Sequence, residues 1–102
     1  YQAHANLGVV FEGLAEYERA ESRYRHALHL VPDDWTTMKN LAALRLRAAR
    51  AEAQRGNEGV ARSALEESRQ LVDRALRLNP AVPGGAQLWQ AVQQELSARG
   101  AK

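Results

Sequence analysis

The sequence predicts an all-α fold of antiparallel helix hairpins, and three observations carry that expectation. Apolar residues recur at helical spacing along most of the chain, as in Leu7–Phe11, Tyr24–Leu28 and Leu88–Val92–Leu96. Alanine is abundant while only two Trp, three Tyr and one Phe occur in 102 residues, which suits closely approaching helices better than a thick sheet sandwich. The same residue types also return at fixed offsets, and a proline closes each unit, at Pro32 and at Pro80. The length fits one compact domain.

The first unit reads Leu7-Gly8, Phe11, Ala20, Tyr24, Ala27 and Pro32. Gly8 and Ala20 are small where two helices must approach closely, and Leu7, Phe11, Tyr24, Ala27 and Leu28 supply knobs on the facing stripes. This spacing predicts helices over 2–14 and 17–30. Pro32-Asp33-Asp34 then ends the second helix, with Asp34 placed to cap the next one.

The second unit opens at Trp35 with Met38, Leu41 and Ala42, and closes with Ser68, Val72, Ala75, Leu78 and Pro80. Pro32 and Pro80 lie 48 residues apart, against a repeat length of about 34. Gly56-Asn57 reads as a helix stop followed by an N-cap, which places seven extra residues before the turn and seven after it. Seven residues are close to two helical turns, so both apolar faces stay aligned while each helix gains about 10 Å. Ala48, Ala49, Ala53, Val60, Ala61, Ala64 and Leu65 are the extra apolar positions available for pairing. A long surface loop is the alternative. Apart from Gly56, Asn57 and Gly59, however, residues 45–66 contain no breaker, so helices over 35–55 and 57–79 are expected.

Pro83-Gly84-Gly85 reads as a linker before a last helix over 85–99, with Leu88, Trp89, Val92 and Leu96 on one face and four glutamines around the rest. A lone amphipathic helix of this kind supplies the polar outer face that closes a repeat array. Trp89 is expected to seal the second hairpin.

Taken together, His4-x2-Leu7-Gly8-x2-Phe11, Ala20-x3-Tyr24 and Pro32 resemble the tetratricopeptide repeat, whose pattern is Trp-x2-Leu-Gly-x2-Tyr, Ala-x3-Phe and Pro. His4 stands in place of the tryptophan, and Arg45 stands where the second unit should carry its aromatic. The resemblance implies a single domain over 1–99: repeat one over 1–34, an extended repeat two over 35–82 and a capping helix over 83–99. Residues 100–102 are then a disordered tail. Since Tyr1 already sits at the first position of a unit, the chain is expected to be an excerpt of a longer protein.

The resemblance also implies a non-catalytic scaffold that binds a protein or peptide in the concave groove lined by the first helix of each hairpin. On the second such helix Thr36, Lys39, Asn40, Ala43, Arg47 and Arg50 share a face by helical spacing. On the first, Asn6 and Val9 are among the matching positions, with Gln2, Ala5 and Gly13. Asn6 and Asn40 are 34 residues apart, and an asparagine there recurs in such arrays, where its amide both donates to and accepts from a peptide backbone. The dicarboxylate clamp of chaperone-binding members wants lysine and asparagine where this chain has Ala5 and Val9, so that mode is not expected. Lys39, Arg45, Arg47, Arg50 and Arg55 stand against Glu52 alone over 39–55, which points to an acidic partner.

Other chemistry has little support. Without cysteine there is no disulfide framework or thiolate site, and its lack does not choose between cytoplasm and periplasm. The net charge of +2 is too mild to argue for nucleic acid, and no apolar run approaches a membrane span. His26 and His29 lie one turn apart with no further ligand in register, and the serines lack a nucleophile elbow. No enzyme, metal or cofactor is expected. Two alternatives to the peptide-binding scaffold remain open: a structural, self-associating repeat segment, and a non-catalytic appendage of an enzyme chain.

Overall fold

The computed structural model describes residues 17–100, and the described residues are all-α. They form α1 (Tyr17–Leu30), α2 (Trp35–Gln54), α3 (Glu58–Leu78) and α4 (Gly85–Gly100). The helix expected over 2–14, with His4, Asn6 and Val9 on it, lies outside the described residues, as do two residues of the expected tail. The third tail residue, Gly100, ends α4.

Each helix end has a local cause. At the start of α2, Asp34 accepts from the backbone N–H of Thr37 at 3.2 Å and from its hydroxyl, satisfying one of the donors that a helix start leaves unpaired. Its end is a Schellman turn. Asn57 N–H reaches Glu52 O at 2.9 Å, Gly56 N–H reaches Ala53 O at 3.0 Å, and Gly56 takes φ +86°, which a side chain would resist. Asn57 stands at the N-cap of α3, yet its side chain makes no capping bond and instead donates to Glu52 at 2.8 Å. The cap expected from its amide is therefore diverted back to α2.

Residues 45–66 contain two helices and one tight turn, as the paired insertion of seven residues predicts. α2 and α3 pack antiparallel along their length. Ser68 Oγ donates to Ala42 O at 2.6 Å in the buried seam, and Leu46, Ala49, Ala61, Ala64 and Leu65 form one cluster toward the turn. Four of the expected pairing positions, Ala49, Ala61, Ala64 and Leu65, are thus buried, with Ala53 against them. Val60 is not: it is 53% exposed, because it lies in the first turn of α3 on the side away from α2 and α4.

On one flank α1 packs antiparallel to α2 through Ala20, Tyr24, Leu41 and Leu44, with Leu71 of α3 closing the cluster. On the other flank α4 packs on α3 and the far half of α2. Its anchor is Val92, fully buried, with Leu88, Ala91 and Leu96 against the same cluster. Trp89 is only half-buried, so the seal expected of it belongs to Val92. Burial of each Leu or Val here is worth about 1.5–3 kcal/mol.

Candidate interaction surface

Among the described residues, α1, α3 and α4 pack against α2 and leave one of its sides without a helix neighbour. Positions 36, 40, 43, 47, 50 and 54 recur at three- and four-residue spacing and so lie along one line of the helix. Along it Thr36, Arg47, Arg50 and Gln54 are exposed, and Asn40, Ala43 and the adjacent Lys39 are half-buried. The described positions of the expected groove are therefore brought together on one face. Asn6 and Val9, the expected positions from the first helix, lie outside the described residues.

The charged side chains that α2 itself contributes to this face are all basic. Glu52 is the only carboxylate of α2, and it sits on the flank toward α1, with Arg55 at 3.7 Å and the Asn57 amide at 2.8 Å. Lys39, Arg47 and Arg50 thus share the open face with no acid from their own helix. Ala43 is small and central on this face, and the Asn40 amide beside it carries both a donor and an acceptor.

Arg50 departs from the expectation that it points freely into a groove. Its Nε donates to Glu95 Oε2 of α4 at 3.0 Å, so it stands at the edge of the face, where α4 meets α2.

That contact belongs to a pattern repeated on both flanks of the hairpin. Each flanking helix presents a glutamate and an arginine one turn apart, Glu21 and Arg25 on α1, Glu95 and Arg99 on α4. In each case the glutamate meets an arginine of α2, Glu21 with Arg45 at 3.2 Å and Glu95 with Arg50 at 3.0 Å. In each case the arginine meets a glutamate of α3, Arg25 with Glu67 at 2.7 Å and Arg99 with Glu58 at 2.5 Å. Burial pulls Arg25 toward its neutral form, but its bonds to Glu67 and Glu21 outweigh that and hold its pKa above the usual arginine value.

The pattern includes Arg45, at which the resemblance led to the expectation of an aromatic: its guanidinium stands between Glu21 and Glu67. Nothing in the spacing of either helix pair announced these cross-helix contacts. The signal available was the matching Glu-x3-Arg on α1 and α4.

A cleft of about 520 Å3 opens on the α1 flank, where the last two turns of α2 overhang the start of α1. Ala48 and Ala51 line it together with Glu18, Glu21 and Glu52 and with Arg19, Arg45 and Arg55, so acids and bases balance and no ligand charge is selected. His26 and His29 are both exposed on α1. No group of three or more His, Cys, Asp or Glu among the described residues could hold a metal ion, and no helix among them is long and apolar enough to cross a membrane. Neither protein-family models nor curated proteins return a match to this chain.

Proposed function

We propose that this chain is a tetratricopeptide-type helical repeat domain that serves as a protein-interaction scaffold, and that it binds an acidic segment of a partner protein along the open face of α2. The observation that carries this reading is the composition of that face. Lys39, Arg47 and Arg50 lie along it, the Asn40 amide and the small Ala43 sit between them, and no acid of α2 shares it. A helix face rich in basic side chains draws the opposite sign and speeds encounter. Arginine adds geometry, since its planar fork can hold a carboxylate through two parallel hydrogen bonds.

From Lys39 to Arg50 is about 16 Å at 1.5 Å per residue, a span that an extended segment of about five residues covers. The partner is accordingly a short acidic stretch with carboxylates spread along it rather than a single anionic group.

The reading is tested by titrating the protein with a fluorescently labelled glutamate-rich peptide and with its glutamine counterpart. The acidic peptide should bind, the glutamine peptide should not, and binding should weaken with salt as the Debye length falls from about 10 Å at 0.1 M to about 3 Å at 1 M. Lys39→Glu combined with Arg47→Glu should weaken binding and flatten the salt response. Equal binding by parent and double variant at low salt would place the contact elsewhere.

A further inference from the structure

Charged residues make up 25% of the chain, yet the 17 residues from Leu78 to Gln94 contain no Asp, Glu, Lys or Arg. α4 carries only two charged side chains, and both are turned to the long hairpin, Glu95 onto Arg50 at 3.0 Å and Arg99 onto Glu58. Its outward side consists of Ala86, Gln87, Gln90, Gln94 and Ser97, all exposed, with Gln93 half-buried beside them. The exposed sides of α1 and α3 are charged by contrast, with Glu18, Arg19 and Arg25 on one and Arg62, Glu66 and Arg77 on the other. We propose that the uncharged side of α4 is a self-association surface, on which two copies of the chain meet α4 to α4, antiparallel about a two-fold axis.

The chemistry of the side selects its occupant. A charged partner surface would lose water against amides that return no opposite charge, so the partner that fits is itself uncharged. A glutamine amide donates and accepts at once and is therefore complementary to another glutamine amide. A two-fold contact needs only one such surface, because each copy presents to the other what it receives.

Helical spacing sets the register. Gln87, Gln90 and Gln94 recur at three- and four-residue intervals and lie along one line of α4. An antiparallel copy brings Gln87 of each chain opposite Gln94 of the other and places the two Gln90 side chains together at the axis. Ala86 and Ser97, small and toward the two ends of that line, let the helices close. α4 has 16 residues, so the strip is about 24 Å long and about 10 Å across. That falls well short of the roughly 800 Å2 per partner of a standard interface, and ordering the glutamines opposes the contact further. The dimer is accordingly weak and forms as concentration rises.

Sedimentation equilibrium of the full chain from about 1 μM to about 1 mM tests this. The weight-average mass of the parent should rise reversibly from that of one chain toward that of two. Gln90→Lys and Gln90→Glu each set like charges together at the axis, and each alone should stay monomeric through the range. An equimolar mixture of the two should associate at least as well as the parent. Gln70→Lys, on the exposed side of α3, should dimerise as the parent does.

A parent that stays monomeric at every concentration would overturn the proposal. So would association that survives in Gln90→Lys, since another surface would then carry it. A mixture that fails to associate would rule out the two-fold contact at Gln90. An equal loss in Gln70→Lys would assign the effect to added charge rather than to α4.

Discussion

Arg45 of α2 and Glu67 of α3 stand 2.9 Å apart, Nε to Oε1, at a position where the sequence resemblance led to the expectation of an aromatic ring. The contact is close without being in line for a hydrogen bond from Nε, and a second carboxylate, Glu21, reaches Arg45 Nη1 at 3.2 Å. Arg45 is largely covered while both carboxylates keep water access. Truncation of Arg45 therefore removes packing as well as charge. Arg45→Ala is expected to cost about 1–2 kcal/mol, below the 3–5 of a fully buried broken pair. Chemical denaturation of Arg45→Ala, Glu21→Ala and the double variant checks this. The coupling between the two sites should be about 0.2–1 kcal/mol, the range of solvated pairs.

Two glycines should respond to the same substitution with opposite sign. A Cβ at Gly85 would run into Val82 Cγ1 and lie 3.0 Å from Leu76 Cδ2, whereas one at Gly59 meets nothing within 4 Å. Gly85→Ala is expected to destabilise by about 1–3 kcal/mol through overpacking. Gly59→Ala, in the first turn of α3, should stabilise by about 0.4–1 kcal/mol by restricting the unfolded chain. Thermal melts of the two variants decide it, and equal shifts would contradict the packing described at the α4 start.

The seam of the long hairpin contains one polar bond, from Ser68 Oγ to Ala42 O, with Ser68 fully buried. Ser68 stands twelve residues before Pro80, as Ala20 stands twelve before Pro32. Ser68→Ala should cost about 0.5–1.5 kcal/mol, the net worth of a hydrogen bond, since the remaining alanine fits a small-residue position. A neutral result by denaturant titration would mean that the Ala42 carbonyl gains nothing from the second bond.

The last helix offers a comparison of anchors. Val92 is fully buried and Trp89 half-buried. Val92→Ala should cost about 2 kcal/mol for its lost methyl groups and cavity, and Trp89→Ala less than the 3–5 kcal/mol of a ring in a core. A loss above about 3 kcal/mol at Trp89, within that core range, would show that the indole carries the docking.

The sequence made the helices legible because their punctuation is chemical. Pro32 and Asp34 bound α1 and start α2, Gly56 supplies the left-handed turn, and Gly84-Gly85 opens α4. The length of α2 and α3 was readable because a paired insertion of seven keeps the apolar stripe in register. The α2 face followed from helical spacing alone.

What was not legible depends on contacts between helices. The pairing of Arg50 with Glu95 joins residues 45 apart, and no local spacing encodes it. Asn57 carries a capping residue type, but Glu52 across the turn takes its amide. Trp89 and Val92 share one apolar face in the sequence, and only the seat of α4 on α3 decides which is covered.

The central claim, that the open face of α2 binds an acidic segment, is tested most directly by mapping amide chemical-shift changes as the glutamate-rich peptide is titrated into the labelled protein. The account predicts the largest changes at Thr36, Lys39, Asn40, Ala43 and Arg47, with a smaller change at Arg50, which Glu95 already holds at the edge of the face. Changes confined to the outer face of α3, or to the cleft walls at Glu18, Ala48 and Arg55, would contradict it.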